Sequence, residues 1–238
     1  VVTKGKLLYE GKAKIIYETV EGKGYLVHFK DTITAGNGEK KAEVPKKGEI
    51  NNQISSLIFS YLKDKGVENH YISQLSTREM LVEKVGIIPL EVVVRNVATG
   101  SICRRLGIKE KKVFSNPLVE YYYKNDSLGD PLICENHIEL LELATKSQLE
   151  GIKAIALQVN ALLTELFESI GIILVDFKLE FGIGEGNRII LADEISPDTC
   201  RLWDMESGAS LDKDVFRKGQ GDVLQGYTEV LNRLKGRS

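Results

Sequence analysis

The chain has 238 residues, 42% of them hydrophobic and 28% charged, so it can bury a sizeable core and carries no compositional mark of disorder, collagen or a disulfide scaffold. Its 32 basic and 34 acidic residues leave a formal net charge of −2, which provides no global field for nucleic acid or an anionic membrane. Cys103, Cys134 and Cys200 lack metal-type spacing and His28, His70 and His137 are scattered, so free thiols in a reducing compartment are expected and a zinc site is not.

In chain order, "KLLYEG", "AKIIYETV" and "GYLVHFKD" are short β-type runs punctuated by Gly11 and by Glu21-Gly22-Lys23-Gly24, the pattern of a hairpin meander. Ile50, Ile54, Leu57, Ile58, Tyr61 and Leu62 recur at helical spacing and predict a helix over 50–65, with Gly66 as its stop. "MLVEKVGIIPLEVVVRN" reads as two strands about a Val85-Gly86 break. A second helix is predicted over 148–170, opened by a Ser147/Glu150 capping box and ended by Gly171. Then "ILVDFKLEFG" and "RIILADE" form two strands around the turn "GIGEGN", and a last helix spans 221–235. The pattern is α+β in two lobes, a β-rich one over 1–84 and a larger α+β one over 85–238, with a ligand cleft between them. No apolar run approaches a membrane span and the N-terminus has no signal-peptide core, so a cytoplasmic protein is expected.

The strand "ILVDFKLEFG" carries Asp176, Lys178 and Glu180 at every second position, which puts all three on one face. A hairpin with the following strand brings Asp193 and Glu194 close, and because these consecutive side chains point to opposite faces, either register adds one carboxylate to that face. Two carboxylates ~4 Å apart repel by about 4 kcal/mol at an effective dielectric near 20, so they require a cation or a shared proton between them. Lys178 offers one charge and a divalent metal two; hard oxygen ligands favour Mg²⁺ over Zn²⁺. On spacing alone, a solvated amphipathic hairpin fits as well.

Phosphate-binding candidates lie elsewhere. Gly11, Lys12 and Lys14 sit in or beside a strand-to-strand turn that could line a polyphosphate or simply carry solvated lysines; no Walker or dinucleotide fingerprint is present. In "EVVVRNVATGSICRRLG" a strand feeds Arg95, and Thr99-Gly100-Ser101 open a helix whose start suits a phosphomonoester, or Ser101 is a plain N-cap. Arg104 and Arg105 read as solvated. Asp198, Arg201 and Asp204 lie in a polar loop beyond the acidic strand end, and "KNDSLGDP" is a second acidic loop with turn chemistry.

"IIPLEVVVRNVATGS" and "LVDFKLEFG" resemble the two signature segments of the SAICAR synthetases, the phosphoribosylaminoimidazole-succinocarboxamide synthases of purine synthesis. "LYEGKAKIIYET", "KKGEINNQIS", "KNDSLGDP" and "DEISPDTCRLWD" resemble further segments of that family in the same order, across nearly the whole chain. The substrate loop departs from the family's common small Gly/Ser pair at Thr199-Cys200.

The resemblance implies a two-lobed fold related to the protein kinases and ATP-grasp enzymes. It also implies an ATP-dependent ligase that joins carboxyaminoimidazole ribonucleotide (CAIR) to L-aspartate and releases ADP and phosphate, through an acyl phosphate. By the same resemblance, Asp176, Lys178 and Asp198 are catalytic, and Glu180 and Asp193 hold Mg²⁺. ATP falls to Gly11, Lys12, Lys14, the hinge residues Val85 and Ile87, and Lys124; substrate falls to Arg95, Ser101, Arg201, Asp214 and Arg217. The partners implied are small molecules and a possible second copy in a homodimer, not nucleic acid or membrane. A small-molecule phosphotransferase needs the same lysine turn and acidic ligands, and is distinguished by whether ADP release requires L-aspartate. A silent nucleotide- or RNA-binding module is the other class; the lack of an aromatic-basic sheet motif argues against RNA.

Overall fold

The structure, a computed structural model, describes residues 2–36 and 38–236. The chain opens with strands β1 (Lys4–Glu10), β2 (Lys14–Thr19), β3 (Tyr25–Phe29), β4 (Thr32–Ala35) and β5 (Lys40–Glu43), then helix α1 (Lys47–Asp64) and strands β6 (Tyr71–Gln74) and β7 (Glu79–Val82). After β8 (Gly86–Val97) follow α2 (Ser101–Leu106), β9 (Val113–Tyr123), β10 (Leu132–Ile133), α3 (Glu135–Leu140) and α4 (Lys146–Glu168). The rest is β11 (Ile172–Ile183), β12 (Ile189–Ala192), β13 (Cys200–Asp204), α5 (Asp214–Lys218) and α6 (Val223–Gly236).

Two antiparallel sheets organise these elements. A five-stranded sheet, in the order β1-β2-β3-β7-β6, uses only residues before the Val85-Gly86 break. A six-stranded sheet, β10-β9-β8-β11-β12 with β13 also on β11, uses only residues after it. The α+β class and the meander-first order agree with the sequence patterning. The large core nevertheless crosses that break: Ile50, Ile54, Ile58 and Leu62 of α1 join Val92, Leu179, Leu163 and Leu231 in one cluster. Gly48 lets α1 start against β3, because a Cβ there would stand 2.4 Å from the Phe29 carbonyl oxygen.

Strand alternation gives the six-stranded sheet its two faces. Val92, Val94, Phe177 and Leu179 point back into the core beneath α4, whose Leu149, Ile152, Ala156, Val159 and Leu163 are all buried. Arg95 pairs with Asp176, Val93 with Lys178 and Glu91 with Glu180, so those side chains share the opposite face. Pairing across β9 adds Glu120 and Tyr122, and β13 adds Arg201. Polar rows on one face of central, two-sided strands are what position the site.

Three local expectations are corrected. The capping box of α4 is Thr145 with Gln148, not Ser147 with Glu150: the Thr145 hydroxyl accepts from the Gln148 N–H at 3.2 Å and Gln148 Oε1 accepts from the Thr145 N–H at 2.8 Å. Ser101 is not an N-cap, since Gly100 holds that place. Asp193 and Glu194 do not alternate across β12: the strand ends at Ala192 and Asp193 takes a left-handed φ of 63°, so both carboxylates turn toward Lys14.

Candidate active site

Lys178 is the hub of the charged face. Its ammonium lies 2.6 Å from Glu180 Oε1, 2.9 Å from Glu91 Oε1 and 3.8 Å from Asp193 Oδ2. Glu180 also meets Lys124, and Asp193 also meets Lys14. From the five-stranded sheet, Lys14 reaches Glu194 Oε1 at 2.9 Å, so the two sheets face each other across an ion network. Burial works against the charge on Lys178, but Glu180, Asp193 and Glu91 raise its pKa well above the ordinary lysine value. Burial likewise pushes Asp193 up, yet Lys14, Lys178 and Lys124 hold it well below the usual carboxylate range. Both sides therefore stay ionised, a condition for handling phosphate charge without proton exchange.

Gly11 donates its N–H to the Lys14 carbonyl at 2.8 Å and closes the β1–β2 turn. Lys12 reaches from that turn to Asp126 in the 124–131 loop at 2.7 Å. A cavity of about 400 Å³ opens there, lined by Gly11, Lys12, Lys30, Thr34, Lys41 and Asp126 among others. Val85 and Ile87 flank the start of β8, where Ile87 pairs with Gly182 and is 45% exposed.

The other end of the face is built around Asp176. One of its oxygens, Oδ2, accepts from Arg95 at 2.7 Å and from Arg201 at 2.8 Å. Arg95 also donates to Glu120 at 2.8 Å, to the Ser101 hydroxyl at 3.1 Å and to the Tyr122 hydroxyl at 3.3 Å. Arg201 continues to Asp214 at 3.1 Å, which receives Arg217 at 2.5 Å. Gly100 makes this possible: its φ is +66° and a Cβ would lie 2.8 Å from Arg201 Nη2. The helix expected to open at 99–101 is the six-residue α2, from which Ser101 and Arg105 reach this network. Thr199 is accommodated in the 196–199 turn by its N–H bond to the Ser196 carbonyl at 2.9 Å.

Asp198 stands apart from that face. Lys47, 1% exposed, donates to Oδ2 at 2.6 Å, Asn51 donates to the same oxygen at 2.8 Å, and the Tyr227 hydroxyl donates to Oδ1 at 2.7 Å. Burial raises its pKa, but Lys47 and Lys213 bring it down to about 2. A carboxylate so low and so fully engaged is a poor proton acceptor, and its geometry suits a positioning element that ties α1 and α6 to the substrate loop.

Glu91, Glu120, Tyr122, Lys47, Asn51 and Tyr227 were not among the expected site residues. Glu91 was within reach, since it shares the strand parity of Arg95; nothing in the local pattern links Lys47 or Tyr227 to Asp198. Arg105, read as solvated, instead donates to Glu120 at 2.6 Å.

The fold and this site define an ATP-using enzyme for anionic substrates, with lysines and carboxylates confronting each other on the open face of an antiparallel sheet. The chain belongs to the SAICAR synthetase family, whose sequence model matches residues 7–234. It is 54% identical to the phosphoribosylaminoimidazole-succinocarboxamide synthase of Bacillus subtilis, covering 99% of this chain and 98% of that one. Among solved structures it matches the same synthase from Ehrlichia chaffeensis with a TM-score of 0.94 and 49% identity, over 97% and 98% of the two chains. A SAICAR synthetase in complex with ADP matches with a TM-score of 0.93 and 44% identity, again over 97% and 98%.

Proposed function

We propose that the open face of the six-stranded sheet is where this chain, an ATP-dependent ligase of purine biosynthesis, joins the carboxylate of CAIR to the amine of L-aspartate, forming SAICAR, ADP and phosphate. The observation that carries the assignment of residues is the Lys178 hub, one ammonium among Glu91, Glu180 and Asp193. A carboxylate is a poor acylating group, so its oxygen first attacks the γ-phosphorus of ATP and ADP departs. The aspartate nitrogen then attacks the acyl carbon, the C–O bond to phosphate breaks, and the amine proton passes to a base.

Each end of the face has a part in this. Gly11, Lys12, Lys14 and Lys124 surround the polyphosphate beside the cavity, with the backbone near Val85 and Ile87 against the base. Lys178 draws charge from the transferring phosphoryl group. Arg95, Ser101, Arg201, Asp214 and Arg217 form the ribonucleotide end. Asp176 faces the reacting carboxylate and amine from between two guanidinium groups, and Asp198 holds the loop that carries Arg201.

Glu180 and Asp193 fit a Mg²⁺ ion: both are hard-oxygen donors on one ammonium, and Mg²⁺ commonly takes one or two carboxylates plus substrate phosphates and water. Bound there, the ion would neutralise phosphate charge during transfer, with Lys178 and Lys124 yielding their hold on Glu180. The family resemblance also favours a cytoplasmic homodimer, which light scattering after size exclusion would test. For the reaction itself, ADP release should require both CAIR and L-aspartate, and release with CAIR alone would point to a phosphotransferase.

A further inference from the structure

Asp212 lies two residues ahead of Asp214 and is fully buried. Among the described residues no cation stands within ion-pair distance of it, whereas Glu120, Asp176 and Asp214 nearby each meet an arginine. Hydrogen-bond donors from two elements take up its oxygens instead. Oδ2 accepts the Leu202 N–H of β13 at 2.8 Å and the Ser210 hydroxyl at 3.0 Å, and Oδ1 accepts the Asp214 N–H at the start of α5 at 2.7 Å. The segment that carries Asp212 is held from behind: a Cβ on Gly226 of α6 would stand 2.9 Å from the Leu211 Cα, so that helix packs directly on this backbone.

The two anchored amides adjoin the Arg201–Asp214 pair. Leu202 follows Arg201 directly, and the second amide is that of Asp214 itself. One carboxylate thus fixes the two backbones from which Arg201 Nε reaches Asp214 Oδ2 at 3.1 Å and Arg201 Nη1 reaches Asp176 Oδ2 at 2.8 Å. This clamp needs an acceptor at both oxygens, because a backbone N–H can only donate. An ionised carboxylate supplies it, whereas a side-chain amide has to turn its NH2 group toward one of the two N–H groups.

We infer that Asp212 is a positioning residue of the ligation: its carboxylate clamps β13 to α5, and the clamp sets the Asp176–Arg201–Asp214 arrangement on which ribonucleotide binding depends. This deepens the ligase reading and rests on it. The groups that face Asp212 are Asp214 from α5, the Tyr227 hydroxyl from α6 and the Cys200 thiol of β13, none of them a cation. Burial pushes the Asp212 carboxyl up and Asp214 pushes it further, while the two amides and Ser210 oppose the rise and leave it at about 6. The clamp is therefore complete above about pH 6 and is lost as pH falls through that value. Stability runs the other way. With the folded value above the ordinary aspartate value of 3.8, the contribution of Asp212 to stability is fully present below about pH 4 and is lost as pH rises through about 6.

The test compares wild type, D212N and S210A from about pH 8 down to about pH 5.5, with a thermal melt at each pH. At about pH 8, D212N should raise the KM for CAIR about tenfold and leave the KM for ATP within about twofold. As pH falls, the ratio of the D212N to the wild-type KM for CAIR should shrink toward one, a comparison in which ionisation of the substrate cancels. Over the same interval the melting temperature of wild type should rise relative to that of D212N, whereas a merely structural residue would move affinity and stability in the same direction. S210A keeps both amide bonds but loses a donor that favours the carboxylate, so its KM for CAIR should begin to rise at a higher pH than that of wild type. A KM ratio that does not change with pH, equal weakening of CAIR and ATP, or an unmoved acid limb in S210A overturns the assignment, and the S210A arm decides it if D212N fails to fold. Failure of the wild type to form the amide at all would instead overturn the ligase reading, and this assignment with it.

Discussion

The ammonium of Lys14, on the second strand of the five-stranded sheet, stands 2.9 Å from Glu194 Oε1, just past the end of β12 in the other sheet. Asp193 meets the same ammonium, so one lysine bridges two consecutive carboxylates that a left-handed backbone turn has brought to one side. This contact ties the strand that follows the β1–β2 turn to the charged face of the six-stranded sheet, and so joins the two halves of the proposed site.

Removing that cation should cost both stability and rate. K14M leaves the buried Glu194 and the half-buried Asp193 without the cation they share, so urea denaturation should show a loss of about 3 kcal/mol, within the range for breaking a buried ion pair. At saturating substrates kcat should fall on the order of 100-fold, by analogy with deletion of a single charge-stabilising donor. K14R should retain most of the stability.

G100A places a methyl group 2.8 Å from Arg201 Nη2 on a backbone with φ of +66°. The strain is about 1 to 3 kcal/mol for so sparsely populated a backbone conformation, and Arg201 has to move away from Asp176. The expected kinetic result is a raised KM for CAIR with little change in the KM for ATP, whereas a purely structural effect would lower the melting temperature and leave the KM values alone.

The Lys47–Asp198 pair predicts an acid limit. Lys47 and Lys213 hold Asp198 down to about 2 in the folded chain, below the ordinary aspartate value of 3.8, so its contribution is fully present above about pH 4 and is lost as pH falls through about 2. Denaturation curves of wild type and D198N should therefore differ at pH 7 and converge toward pH 2. K47M, which strands a buried carboxylate, should cost at least as much at pH 7 as D198N does.

How much of this was legible in the sequence depended on whether the signal was periodic. Alternation in "LVDFKLEFG" placed Asp176, Lys178 and Glu180 on one face, whereas nothing in "EVVVRN" indicated that its strand pairs with theirs and sets Arg95 opposite Asp176. Helix existence was equally clear from the apolar spacing, while the start of α4 was misassigned since Thr145/Gln148 and Ser147/Glu150 both satisfy the same short cap pattern. The turn at Asp193 left no trace, because a non-glycine residue with positive φ is stabilised by its tertiary partners. Lys47, Tyr227 and Arg105 acquire their roles only when distant segments pack: a lysine in the first turn of a helix or an arginine in a basic pair looks solvated until a carboxylate arrives from elsewhere in the chain.

The decisive measurement is mass-spectrometric detection of the amide product, together with ADP, in reactions of wild type and E180Q containing ATP, Mg²⁺, CAIR and L-aspartate. With wild type, SAICAR and ADP should form one for one and only when every component is present. With E180Q, turnover should fall on the order of 100-fold or more, with the fold intact. Wild-type turnover by E180Q would contradict the placement of the chemistry on the Lys178–Glu180 face, and ADP formed without L-aspartate would contradict the ligation itself.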